Sequence, residues 1–252
     1  MFDKVIEFKA HEDYFAQKED YPIPAKLNIP EWYKALQHTY NDRTVKGCMP
    51  FLDTLTSGYL LKLPQDFYIR HNVDSKDKEG NTYKDSFFNP ALASYDTRLR
   101  AKMLNLNSAH TDYHPTKQVG GSQHVDKNKN LPFYKFLNPW RIKTPKGYSC
   151  LFVPPLNNSD DRFSIMPGIV DTDSFKNEIN FPFVINGDKY PVLETTLKKG
   201  LPYVQIIPFK RDNWVMKTKA IKQNDIINTR IFYDLRILNN YKNMFWNKKS
   251  WK

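Results

Sequence analysis

The sequence predicts a mainly β, α+β chain: an antiparallel β-sandwich, barrel or β-clip-like core with a long insertion loop and a C-terminal amphipathic helix. Three observations lead there. Aromatic residues make up 15% of the 252 residues, which favours strands and large buried rings. Seventeen prolines against nine glycines point to many stiff turns and edge positions. After Leu137 the chain breaks into short apolar runs divided by turn residues, with little room for helices.

Each element follows from local pattern. Val5 to Lys9 alternates as a short strand, and Tyr21-Pro22-Ile23-Pro24 reads as extended. Ile29 to Leu36 has the form of a helix opening on Pro30, and Met49 to Ser57 that of a second helix stopped by Gly58. Tyr59 to Leu63 and Phe67 to Arg70 read as a hairpin around Pro64-Gln65-Asp66. Asp74 to Asn81 forms a polar turn, from which a strand returns through Thr82-Tyr83-Lys84. Residues 89–130 have the least core-like texture and are expected to be a loop or insertion.

The predicted β core spans 138–217. Its strands are expected at Trp140–Lys143, Tyr148–Val153, Ile165, Ile169-Val170, Ile179–Ile185, Tyr190–Leu197, Tyr203–Pro208 and Trp214–Lys217. From 225 to 247, Ile227, Ile231, Leu235, Leu238 and Phe245 fall at helical spacing, with basic residues between them. Such a helix packs on the sheet or serves a partner. The whole is expected to be one unit of 252 residues.

The net charge of +11 favours an anionic partner, a nucleotide or nucleic acid, although the positives are spread along the chain. Cys48 and Cys150 alone cannot staple a chain of this length, which suits a reducing compartment. The opening residues are charged, and no apolar run approaches the roughly 20 residues of a membrane span, so neither secretion nor membrane insertion is expected.

Three phrases stand in a telling order: Lys143-Thr144-Pro145-Lys146-Gly147-Tyr148, then Pro167-Gly168-Ile169-Val170-Asp171-Thr172-Asp173-Ser174-Phe175, then Lys198-Lys199-Gly200-Leu201-Pro202-Tyr203-Val204-Gln205-Ile206-Ile207. Together, residues 138–210 resemble the trimeric dUTPase and dCTP deaminase superfamily. The resemblance implies that Asp171 activates water and contacts the sugar 3′-hydroxyl, with Phe175 under the deoxyribose and Mg²⁺ as cofactor. The departures are as informative. Pro154-Pro155-Leu156-Asn157 stands where that family has Arg-Ser-Gly, and no Gly-rich arginine arm follows Trp214. Phosphoryl transfer rests on charge neutralisation, and each lost donor costs on the order of 3 kcal/mol. The whole chain also resembles uncharacterised proteins of large tailed phages of marine bacteria, sharing Pro139-Trp140-Arg141-Ile142-Lys143-Thr144-Pro145-Lys146-Gly147-Tyr148-Ser149 and Ile206-Ile207-Pro208-Phe209-Lys210-Arg211. That resemblance implies a virion or the cytoplasm of an infected bacterium.

Two further constellations carry chemistry. His110-Thr111-Asp112 and His124-Val125-Asp126 each fit His-x-Asp, so His110, Asp112, His114 and His124 form a candidate iron or zinc site, as in a non-haem oxygenase. The ordinary alternative is polar loop residues. Lys210, Arg211, Trp214 and Lys217 form a candidate anion or nucleic-acid patch, with sheet-edge protection as the alternative. The function expected is a non-catalytic phage-type binding or assembly protein, needing no cofactor and forming homo-oligomers or joining other phage proteins. A divergent deoxynucleoside triphosphate hydrolase or deaminase is the alternative, and a metal-dependent oxygenase the third.

Overall fold

Four antiparallel sheets make up the β body, and none closes into a barrel among the described residues. The computed structural model describes residues 4–15, 17–90, 113–224, 226–227 and 239–252. The largest sheet has five strands, running β11 (Gly168–Val170), β9 (Tyr148–Val153), β14 (Pro202–Lys210), β3 (Tyr59–Lys62) and β2 (Ile23–Pro24). A second runs β10 (Phe163–Ile165), β12 (Phe181–Ile185), β7 (Phe133–Phe136) and β6 (Tyr113–His114). A third has β13 (Val192–Leu197), β4 (Phe67–Lys76) and β5 (Thr82–Pro90), and a fourth pairs β1 (Glu7–Lys9) with β8 (Arg141–Lys143). The mainly β, antiparallel expectation therefore holds, with few and short helices.

Strand alternation decides what faces inward. In β4, Phe67, Ile69 and His71 are buried while Tyr68 and Arg70 are partly exposed, as a period of two requires. The sheets meet on Phe136, which stacks on Phe183 at 4.3 Å and meets Phe67, Phe88, Phe163 and Tyr203 at 5.1–5.6 Å. Rings from strands 67 to 203 thus converge on one side chain, which accounts for the high aromatic content.

The predicted hairpin at 59–70 does not form. β3 joins β14 in one sheet, while β4 pairs with β5 and β13 in another. The Pro64-Gln65-Asp66 turn instead docks on a second turn: Leu63 N–H donates to Leu201 O, Gly200 N–H to Leu63 O, and Asp66 accepts from Lys199 N–H. The long apolar run of β14 outcompeted the local partner. The polar turn at 74–81 does close a hairpin, longer than expected, with Asp77 accepting from Asn81 N–H at 2.7 Å. β5 consumes the start of the predicted insertion. Beyond 112 that insertion holds β6 and a short α4 (Gln123–Lys127); residues 91–112 lie outside the described residues.

After a one-turn α1 (Glu12–Phe15), the two predicted N-terminal helices form as α2 (Glu31–Ala35) and α3 (Met49–Thr56), with Pro30 at the N-cap of α2 rather than inside it. Gly58 ends α3 with φ of 71°, and a Cβ there would collide with the Ile206 carbonyl, so only glycine fits. Buried Gln205 closes the same junction. Its amide donates to Thr54 O and Ser57 O at 2.9 and 2.7 Å, and its oxygen accepts from Leu156 N–H.

The C-terminal expectations need correction. Trp214–Lys217 is not a strand, and residues 211–222 have no regular structure. Residues 225 and 228–238 of the predicted 225–247 helix lie outside the described residues. Of its described residues, 226–227 are helical, continuing 223–224, and 240–244 form α5 (Asn240–Met244), entered through Asn239 in the left-handed region at φ 61°. A left-handed residue interrupts helical geometry, so the pattern does not run through as one helix.

Candidate functional site

Where β14 ends, the chain leaves the body under a clamp. Arg211 N–H donates to Gly147 O at 2.9 Å, and its guanidinium makes a two-pronged contact with Asp173, with Nη1 at 2.9 Å from Oδ1. Asp173 also accepts from Gly147 N–H at 2.8 Å. These bonds from Arg211, then from Gly147, hold the Asp173 carboxyl down at about 2, below its usual 3.8. Arg211 is correspondingly raised. Beneath them a buried hydroxyl pair, Thr144 and Thr172, bonds at 2.7 Å, and Thr172 reaches Cys150 Sγ.

Asp171 belongs to the same node. Its carboxylate accepts from Ser149 Oγ at 2.6 Å and lies 3.1 Å from Arg211 Nη1, with 61% of the side chain exposed. Its carbonyl accepts from Ser174 N–H and Phe175 N–H, closing the turn. Phe175 is exposed beside it. The structure therefore brings Asp171, Asp173 and Arg211 together, in an acid–arginine lock at the surface.

The predicted basic patch splits. Lys210 pairs with Asp212 at 2.5 Å and Arg211 is taken by the lock, whereas Trp214 and Lys217 stand clear of the body. Trp214 and Met216 are each 90% exposed. Among the described residues, eight exposed large hydrophobic side chains lie between 214 and 245: Trp214, Val215, Met216, Ile221, Ile227, Tyr241, Met244 and Phe245. Lys217, Lys219 and Lys222 accompany them with no ion-pair partner among the described residues.

The excursion is pinned at its far end as well. Trp246 Nε1 lies 3.1 Å from Asp53 Oδ2, and Lys249 Nζ lies 2.6 Å from the same carboxylate on α3. Trp251 packs edge-on to Tyr59, whose hydroxyl donates to Lys252 O. The described residues on either side of 228–238 are thus tied to the body, at Arg211 before them and at Trp246 and Lys249 after them.

Of the predicted metal ligands, His110 and Asp112 lie outside the described residues. His114 bonds Gln118, and His124 sits on α4. Among the described residues no group of three His, Cys, Asp or Glu side chains is placed to hold a metal ion. Sequence reasoning passed over His71, which is 1% exposed with Nε2 lacking a partner among the described residues. Burial, then Lys129 and Lys84, pull its pKa down to about 4. The Phe67-Ile69-His71 alternation was the signal for it. Among the described residues no helix is long and apolar enough to cross a membrane.

Compared with known proteins, the chain matches no family model, no curated protein and no solved structure.

Proposed function

We propose that the protein is a non-catalytic binding or assembly protein that engages its partner through the exposed apolar side chains at 214–216, 221, 227, 241, 244 and 245, the first partner to test being a second copy of the chain. One observation carries this: among the described residues, eight large apolar side chains are exposed between the tie at Arg211 and the tie at Lys249. Burying apolar surface yields roughly 25 cal/mol per Å², so a concentrated exposed stretch of this kind marks a contact surface. The lysines at 217, 219 and 222 add a preference for a partner surface of negative charge.

The resemblance of residues 138–210 to dUTPase-like proteins supports the same reading, because the strand phrases persist without the phosphate-holding groups. The phage-protein resemblance supports a setting in a virion or an infected bacterium. Hydrolysis has less support. Asp171 is engaged by Ser149 and Arg211, and the arginine that a phosphate would need is held by Asp173.

Size-exclusion chromatography with light scattering tests the proposal. The wild-type chain is expected to assemble, and Trp214→Glu with Met216→Glu to run as a monomer with unchanged thermal stability. A wild-type monomer, or a double variant that assembles like the parent, refutes it.

A further inference from the structure

Positive charge is shared unevenly along the chain. Residues 212–252 hold nine Lys or Arg against three Asp, a net +6, whereas the 211 residues before them net +5. The structure widens the difference. Cations of the β body such as Arg70, Arg162 and Lys189 each face a carboxylate, and Asp212 is turned back onto Lys210. Lys217, Lys219, Lys222, Lys242 and Lys248 are exposed and have no ion-pair partner among the described residues. Exposed rings stand among them: Trp214 ahead of Lys217, Tyr241 beside Lys242, and Phe245 ahead of Lys248. The Tyr241 and Phe245 centroids lie 6.2 Å apart at α5.

Cations interleaved with exposed rings match the two halves of a nucleotide, since ammonium groups neutralise phosphates and rings stack on bases. A duplex hides its base faces, which leaves the single strand. An acidic polypeptide would meet the lysines and offer the rings no array of planar faces. We infer that the described residues of 212–252 bind single-stranded nucleic acid, with the five lysines on phosphates and the three rings on bases. This rests on the reading of the same stretch as a contact surface, and adds what a second copy cannot supply. Two chains of net +11 repel, and a strand shared between copies neutralises charge where they meet. Val215, Met216 and Ile221, which give a base no flat face, are left for the second copy.

Fluorescence anisotropy of a labelled oligothymidylate of about 20 nucleotides, titrated with the full chain, tests this. With five phosphate contacts, affinity is expected to drop about 100-fold when salt is raised fourfold. Lys217→Gln with Lys219→Gln and Lys222→Gln is expected to cut that drop to less than about tenfold, with an unchanged thermal midpoint. Trp214→Ala is expected to weaken binding at least about fivefold, and an abasic oligomer of the same length to bind at least about tenfold more weakly than the parent strand. No binding, equal binding of the abasic oligomer, or an unchanged salt response in the triple variant overturns the inference. So does binding to phosphatidylserine vesicles without binding to the strand. Light scattering separates the two readings: a chain that assembles but binds no strand loses this inference alone, and a monomer that binds the strand loses only the second copy as partner.

Discussion

The β body and the excursion, meaning the described residues between 212 and 245, are built from similar residues and put them to opposite use. Around Phe136, rings from three sheets close on one another and leave almost nothing exposed. Along the excursion, Trp214, Met216 and their apolar neighbours face solvent, and an ion pair helps tie each end to the body: Arg211 with Asp173 at one end, Lys249 with Asp53 at the other. Stability therefore resides in the body. The excursion has little to contribute to it, and its apolar surface has a use only against something else.

Mutating one ring in each region breaks the comparison most directly. Phe136→Ala is expected to cost about 3–5 kcal/mol in a urea titration, because it opens a cavity in a close-packed aromatic cluster. Trp214→Ala is expected to cost less than about 0.5 kcal/mol in the unassembled chain. Comparable losses at the two sites mean that the excursion is part of the core.

Acid sharpens the contrast inside the body. Because folding holds the His71 pKa at about 4 against 6.5, the unfolded chain takes up a proton between those values that the folded chain refuses. Stability attributable to His71 is thus complete above pH 6.5 and falls as pH drops to 4, by on the order of 3 kcal/mol. A His71→Leu variant is expected to flatten that stretch of the pH profile. An unaltered slope would falsify the assignment.

At the root of the excursion the sign is the same and the window lower. Asp173 is held at about 2 against 3.8, so its contribution is present above pH 4 and is lost as pH falls toward 2. Asp173→Asn is expected to flatten the thermal midpoint below pH 4. At pH 7 it should also speed trypsin cleavage after Arg211, which then lacks its two-pronged acceptor. Wild-type protein is expected to be cut first after Lys217, Lys219 and Lys222, and to be protected there once assembled.

The smallest effect is chemical. Burial pushes the Cys150 thiol up to about 11, whereas Cys48 is exposed. One thiol per chain is expected to react with a thiol reagent under native conditions, and the second only on unfolding.

Much of this was legible in the residues. Local pattern was enough for the turn at Asp77–Asn81, for α3 and its stop at Gly58, and for the run of antiparallel strands after Leu137, because alternation and turn chemistry act over a few positions. The exposed basic-aromatic stretch at Lys210–Lys217 was also visible as composition. Pairing was not. Whether β3 joins β4 or β14 depends on which apolar face covers it, a competition among strands some 140 positions apart. The sequence likewise could not say that Asp171 and Asp173 would meet Arg211, that His71 would lie sealed with Nε2 unpartnered among the described residues, or that Trp251 would return to wall a cavity with Tyr59 and Lys4. Composition and short-range periodicity determined what kind of elements form. Only the packed sheets decided which side chains lose water together, because burial and charge pairing are properties of neighbours in space rather than along the chain.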